Sequence, residues 1–106
     1  MKYYSVAEID ITDQSWVPAY IKNVTKLVED HGGRYLARTS NVEKIEGERK
    51  ASQIFLIIEW SSRDKAITFY ESDEYKPYRQ NRIEGAKSEF VLVAGEDIAK
   101  VAQIAD

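Results

Sequence analysis

Glu59 stands next to last in the run Gln53-Ile-Phe-Leu-Ile-Ile-Glu-Trp60, in which nearly every neighbour is apolar. A carboxylate carried into such a setting needs a partner or takes a raised pKa, which makes Glu59 the first acid–base candidate. Its structural alternative is an ion pair with an arginine of the adjoining strand, such as Arg38. His31, the one histidine, is the second acid–base candidate; its alternative is a cap on the C-terminal carbonyls of the helix that it ends. Arg34 and Arg38 flank Leu36 on one strand face, and Arg79 and Arg82 share a helix face with Tyr75 and Tyr78 under regular periodicity. Forked guanidiniums bind carboxylate or phosphate bidentately. Arg38, Arg79 and Arg82, with Tyr35, Tyr70 and Tyr75, are therefore candidate ligand-binding residues that frame an anion cleft with aromatic walls if strand and helix converge. Otherwise the arginines pair with the chain's own carboxylates and the tyrosines complete the core.

Composition removes several classes of chemistry. The 106 residues carry 15 basic and 18 acidic side chains, a net charge of −3, so no positive field is expected that would draw nucleic acid or an anionic membrane. Without cysteine there is no disulfide, thiolate metal site or cysteine nucleophile, and one histidine cannot build a multi-histidine metal centre. Gly32-Gly33 lacks the spacing of a phosphate-cradling or dinucleotide loop. No metal and no cofactor are expected. The N-terminus has no long apolar signal region and no stretch reaches the roughly 18 apolar residues of a membrane span, so a cytoplasmic setting is the expectation.

The elements that must position these residues follow from periodicity. Residues 2 to 11 alternate as a strand, with Tyr3, Ala7, Ile9 and Ile11 opposite Tyr4, Val6, Glu8 and Asp10. Asp13 or Ser15 is expected to cap the next helix, where Pro18 suits the first turn and Val17, Tyr20, Ile21, Val24, Leu27, Val28 and His31 form one stripe. Gly32-Gly33 ends it. Arg34 to Thr39 and Gln53 to Trp60 read as two strands joined by a polar hairpin connection. Ser61 or Ser62 caps a second helix, Ser72-Asp-Glu74 breaks it, and a further helix runs to about Glu84. Phe90 to Ala94 is the last strand. The order strand, helix, strand, strand, helix, strand predicts an α+β, ferredoxin-like βαββαβ sandwich, a four-stranded antiparallel sheet with its helices on one face. The domain is expected over 1–96, with 97–106 a C-terminal tail. Ile54, Leu56, Ile58 and Trp60 point one way and Phe55, Ile57 and Glu59 the other. The second face is then apolar and uncovered, which predicts a homodimer packed sheet against sheet.

Gly32-Gly33-Arg-Tyr-Leu-Ala-Arg38, Glu59, and Phe69-Tyr70-Glu-Ser-Asp-Glu-Tyr75 with Arg82 resemble a bacterial family of small proteins known as a domain of unknown function of the 1330 type. The family belongs to the dimeric α/β-barrel superfamily. The resemblance extends over roughly residues 3 to 95 and implies that barrel and its dimer. Superfamily relatives include cofactor-free monooxygenases, muconolactone isomerase-like proteins and haem-degrading enzymes, so it implies no single reaction. Thr39-Ser40-Asn41 stands where the family has a glycine-rich turn and Trp60-Ser61 where Phe-Pro is common, both beside the expected pocket. Nothing in the sequence marks a flavin or haem site. The expected function is binding of a small anionic or aromatic organic molecule in a cleft between sheet and helices. If the molecule is turned over, cofactor-free isomerisation or monooxygenase-like chemistry is expected, with Glu59 or His31 as base and Arg82 orienting the substrate. The alternative is a non-catalytic structural or interaction dimer with no ligand.

Overall fold

The computed structural model describes residues 1–106. β1 (Tyr3–Ile11) leads to α1 (Val17–Asp30), β2 (Arg34–Thr39), β3 (Ile54–Trp60), α2 (Arg63–Tyr70), α3 (Lys76–Gly85) and β4 (Ala86–Ala94). The strands form one antiparallel sheet in the order β2-β3-β1-β4. This is the ferredoxin-like α+β fold expected from the sequence, with the second helix of the pattern divided in two. Ser72 makes the division: its hydroxyl donates to the Phe69 carbonyl at 2.8 Å and accepts from the Tyr75 N–H at 3.2 Å.

The registers align Ala7 with Leu56 and Phe90, and Ile9 with Ile54 and Ser88, on the face that the helices cover. There Ala7, Ile9, Leu56, Ile58, Trp60 and Ala86 pack against Val24 and Val28 of α1, Ala66 and Phe69 of α2, and Tyr75. The Trp60 indole donates to Ser5 Oγ at 2.9 Å, which satisfies the one polar atom of that large ring. On the opposite face no helix packs. Val91 and Val93 are 52% and 44% exposed there, beside half-buried Val6, Phe55 and Ile57.

Three local expectations are corrected. Neither Asp13 nor Ser15 caps α1: the residue before the helix is Trp16, without a side-chain cap, because Asp13 Oδ1 accepts from the nearby Ser15 N–H at 2.9 Å. β4 begins at Ala86, before Phe90. Its polar first half is held by pairing with β1 along the whole strand, from Ile11 opposite Ala86 onward, and tertiary pairing overrides the weak strand propensity. β2 carries a bulge between Tyr35 and Ala37, which inserts Leu36 without a partner on β3. Arg34 then aligns with Glu59 and Arg38 with Leu56, so the two arginines lie on opposite faces of the sheet rather than on one. Residues 96–106 form neither helix nor strand; Asp97 gathers them by accepting from the N–H groups of Ala99, Val101 and Ala102.

Candidate functional site

The α1 stripe that packs on the sheet does not fill the space above it. A cavity of about 80 Å³ remains between Val17, Tyr20 and Val24 of α1 and the side chains of Ile9, Ile54, Leu56 and Ile58. Its walls are almost wholly apolar and rich in aromatic rings, with Trp16, Tyr35, Phe69, Tyr75 and Phe90 also lining it; Arg38 is the one charged residue among them. An apolar cavity of roughly 150 Å³ admits benzene and drug-sized sites span about 300–1,000 Å³; this void, about half the former, suits a short chain as it stands and a single ring once side chains on its walls shift.

Arg38 stands at the β2 side of the cavity. The bulge turns it onto the helix-covered face, where its guanidinium lies 4.6 Å from the centre of the Tyr35 ring and donates to Thr25 Oγ1 at 2.9 Å. Burial raises the Tyr35 phenol above its ordinary pKa, with Arg38 opposing the shift.

The polar group on the opposite flank is built from three elements. Tyr20 of α1 and Tyr75, just before α3, meet hydroxyl to hydroxyl at 2.6 Å, and both rings line the cavity. Behind them lies Arg82 of α3, only 2% exposed. Its Nη1 donates to Ser88 Oγ of β4 at 2.8 Å, and the guanidinium carbon sits 5.2 Å from the centre of the Phe90 ring. Nε and Nη2 are buried and make no hydrogen bond of ordinary geometry, although the Tyr75 and Tyr20 oxygens lie close enough to act on them, and none of the chain's ion pairs includes Arg82. Burial works against its charge, but the oxygens of Tyr75 and Tyr20 outweigh it and raise the guanidinium pKa. Burial likewise pushes the Tyr20 phenol well above its usual range, helped by Tyr75 and opposed by Arg82. The Tyr20 hydroxyl is thus held neutral, and both hydroxyls lie beside a permanent cation.

The other sequence candidates do not converge on this cavity. Glu59 lies on the uncovered face, paired with Lys2 Nζ at 2.5 Å and opposite Arg34 in register. Hydrogen bonding to Lys2 lowers its pKa against a smaller opposing effect of burial, with Arg34 also lowering it. The partner named for it in the structural reading, Arg38, is on the other side of the sheet. His31 follows α1, where its Nδ1 donates to the Leu27 carbonyl at 2.7 Å and its ring meets Phe69 edge to face. It borders a polar surface groove with Glu29, Asp64 and Lys65, outside the cavity lining. Arg79 donates to the Tyr70 carbonyl and covers the Tyr70 ring. Tyr70 meets Tyr75 and Phe90 but lines a separate groove with Ala66 and Leu92. The structure therefore brings together Arg38, Tyr35, Tyr75 and Arg82 around or behind one cavity. It adds Tyr20, Trp16, Phe90 and Ser88, which sequence reasoning missed. Tyr20 was visible only as one more member of an apolar stripe, where a core ring and a cavity hydroxyl look alike.

Among solved structures, a protein of unknown function from Rhodopseudomonas palustris aligns with a TM-score of 0.72 at 12% identity, covering 87% of this chain and 80% of that one. SnoaB, a cofactor-independent oxygenase from Streptomyces nogalater, aligns at 0.65 with 12% identity over 93% of this chain and 97% of its own. A protein described as an antibiotic biosynthesis monooxygenase aligns at 0.51 with 14% identity over 92% and 100%. At such identities the likeness is one of fold. No curated protein matches the chain. The model of the domain of unknown function DUF1330 matches residues 2–96, and the chain belongs to that family.

Proposed function

We propose that this chain acts as a homodimer that binds a small organic molecule, one ring or a short apolar skeleton bearing a polar oxygen, in the cavity between α1 and the sheet. One observation carries the reading: an otherwise apolar void is lined by two tyrosines whose hydroxyls meet, and behind them lies a buried cation with no carboxylate partner. The uncovered sheet face supports the dimer, since exposed apolar patches of this kind mark interaction surfaces.

Turnover, if the molecule is altered, falls in the class of cofactor-free isomerisation or monooxygenase-like chemistry. The fold shared with a cofactor-independent oxygenase makes that class the first to assay. Tyr20 and Tyr75, polarised by Arg82 behind them, would orient the substrate, with Arg38 at the other flank. Glu59 and His31 are kept as acid–base candidates only for a substrate that reaches the uncovered face or the polar groove where they stand.

A second reading has its own support. Glu59, His31, Arg38 and Arg79 all have partners within the chain, as a non-catalytic interaction dimer requires. A thermal-shift series with phenol, benzoate and cyclohexanol separates the two, because a ligand that binds only the folded state raises the melting temperature by mass action. Under the cavity reading at least one of the three is expected to raise it saturably. Val24→Phe, which places a ring in the void from a position 3% exposed, is expected to abolish the shift while the protein still melts cooperatively. No shift with any of the three, or a shift untouched by Val24→Phe, removes the cavity from the function.

A further inference from the structure

We infer that the Tyr20–Tyr75 hydroxyl pair, backed by Arg82, is an oxyanion site, and that the cavity takes a phenol or enol and holds it as the anion in preference to a carboxylic acid. The inference rests on the proposed small-molecule role of the cavity and specifies the ligand's reactive group.

A count of donors leads to it. A hydroxyl pair in mutual contact uses one O–H internally and leaves the other free. Both tyrosines line the cavity; Tyr75 is fully buried and Tyr20 is the less buried of the two, so the free proton offered to a ligand is assigned to Tyr20. Arg82 is not among the lining residues. Its charge therefore acts through the tyrosines, polarising the O–H that the ligand meets, and its own fork is not presented to a bound molecule. No carboxylate lines the cavity, so nothing repels a negative oxygen or competes for the donor. The titratable groups that face the pair are Arg82 of α3, Tyr70 of α2 and, across the cavity, Tyr35 and Arg38 of β2. None of them is a carboxylate.

This geometry distinguishes between acids. A carboxylate spreads its charge over two oxygens and is best met by a bidentate fork; the one fork at the cavity, Arg38, lies on the far flank, engaged with Thr25 Oγ1 and the Tyr35 ring. A phenolate or enolate concentrates it on one oxygen attached to a planar apolar frame, which a single polarised O–H and aromatic walls match. Preorganised donors in a site screened from water favour the charged over the neutral form of the bound oxygen. The proton lost by the ligand passes to solvent, and no redox step is involved.

The test uses p-nitrophenol, whose anion absorbs at a longer wavelength than the neutral form, with benzoate as the competing acid and equilibrium dialysis to measure binding. The full-length protein in excess is expected to lower the apparent pKa of bound p-nitrophenol by about one unit or more, a tenfold preference for the anion. Tyr20→Phe keeps the ring and removes the hydroxyl. It is expected to retain p-nitrophenol in dialysis but to return its pKa to the free value or above. Binding with an unchanged or raised pKa in the unmodified protein overturns the oxyanion site and leaves the cavity reading standing. So does benzoate binding more tightly than p-nitrophenol, or a lowered pKa that Tyr20→Phe preserves. Failure of both ligands to bind overturns the two readings together.

Discussion

Glu59 shows how a residue can be correctly picked out and yet have another role. A carboxylate after two isoleucines is indeed mostly covered, at 15% side-chain exposure, but the cover comes with the Lys2 ammonium. Alternation along β3 already placed it with Phe55 and Ile57, on the face that the helices leave bare; its burial was legible and its partner, near the start of the chain, was not. The pH dependence follows from the lowered pKa. The unfolded carboxyl titrates near 4.5 and the folded one below that, so the ion pair stabilises the fold above pH 4.5 and the gain disappears as pH falls through the folded value. Glu59→Gln is expected to lower the melting temperature slightly at pH 7, with the difference from the unmodified protein shrinking progressively as the pH falls below 4.5; a difference that does not shrink at all rules out the ion pair as its source. Arg82 and Tyr75 were legible as a shared helix face because their spacing fixes it. That Tyr20 meets them could not be read, because the contact joins α1 to the start of α3 across 55 positions of sequence.

At the scale of elements, the bulge in β2 decides what the cavity contains. Strict alternation would hold Arg34 and Arg38 on one face; one unpaired residue, Leu36, sends Arg38 to the cavity and leaves Arg34 beside Glu59. Bulges have no dependable sequence signature, and so the faces of Arg34 and Arg38 were misread while the strand itself was placed correctly. The turn from α1 into β2 is more tightly specified. Gly32 adopts φ +88°, which glycine supports without strain, and a Cβ on Gly33 would come within 2.6 Å of Val28 Cγ1 and 2.8 Å of the Trp60 ring. Both neighbours are fully buried and cannot yield cheaply. Gly33→Ala is accordingly expected to destabilise the fold by about 1–3 kcal/mol, the usual range for overpacking, seen as a lower urea midpoint at unchanged slope. An unchanged midpoint would mean that the helix end relaxes away from Trp60.

The whole molecule is a plate, 46 × 35 × 17 Å, with helices on one broad side and a bare sheet on the other. Element order and the double-faced apolar run of β3 were enough to foresee that shape, because right periodicity and short connections leave few ways to arrange four strands and their helices. Exact strand ends and the cavity were not foreseeable: the first depends on pairing partners and the second on how imperfectly side chains mesh. If two plates close on each other through the bare faces, folding and association are linked. The mass in solution is then expected to be twice the 12.2 kDa of one chain, and the melting temperature to rise with protein concentration. Val91→Asp on the bare face is expected to yield monomer and erase that concentration dependence. A single-chain mass by light scattering for the unmodified protein contradicts the sheet-to-sheet dimer.

The two tryptophans occupy complementary stations. Trp60 is fully buried in the core with its indole on Ser5, whereas Trp16 borders the cavity and donates to the Gly85 carbonyl at 3.0 Å. The protein thereby carries two built-in optical probes, one placed to report global unfolding and the other placed to report any molecule that enters the void. With Trp16→Phe or Trp60→Phe in hand, fluorescence can follow either event without a label.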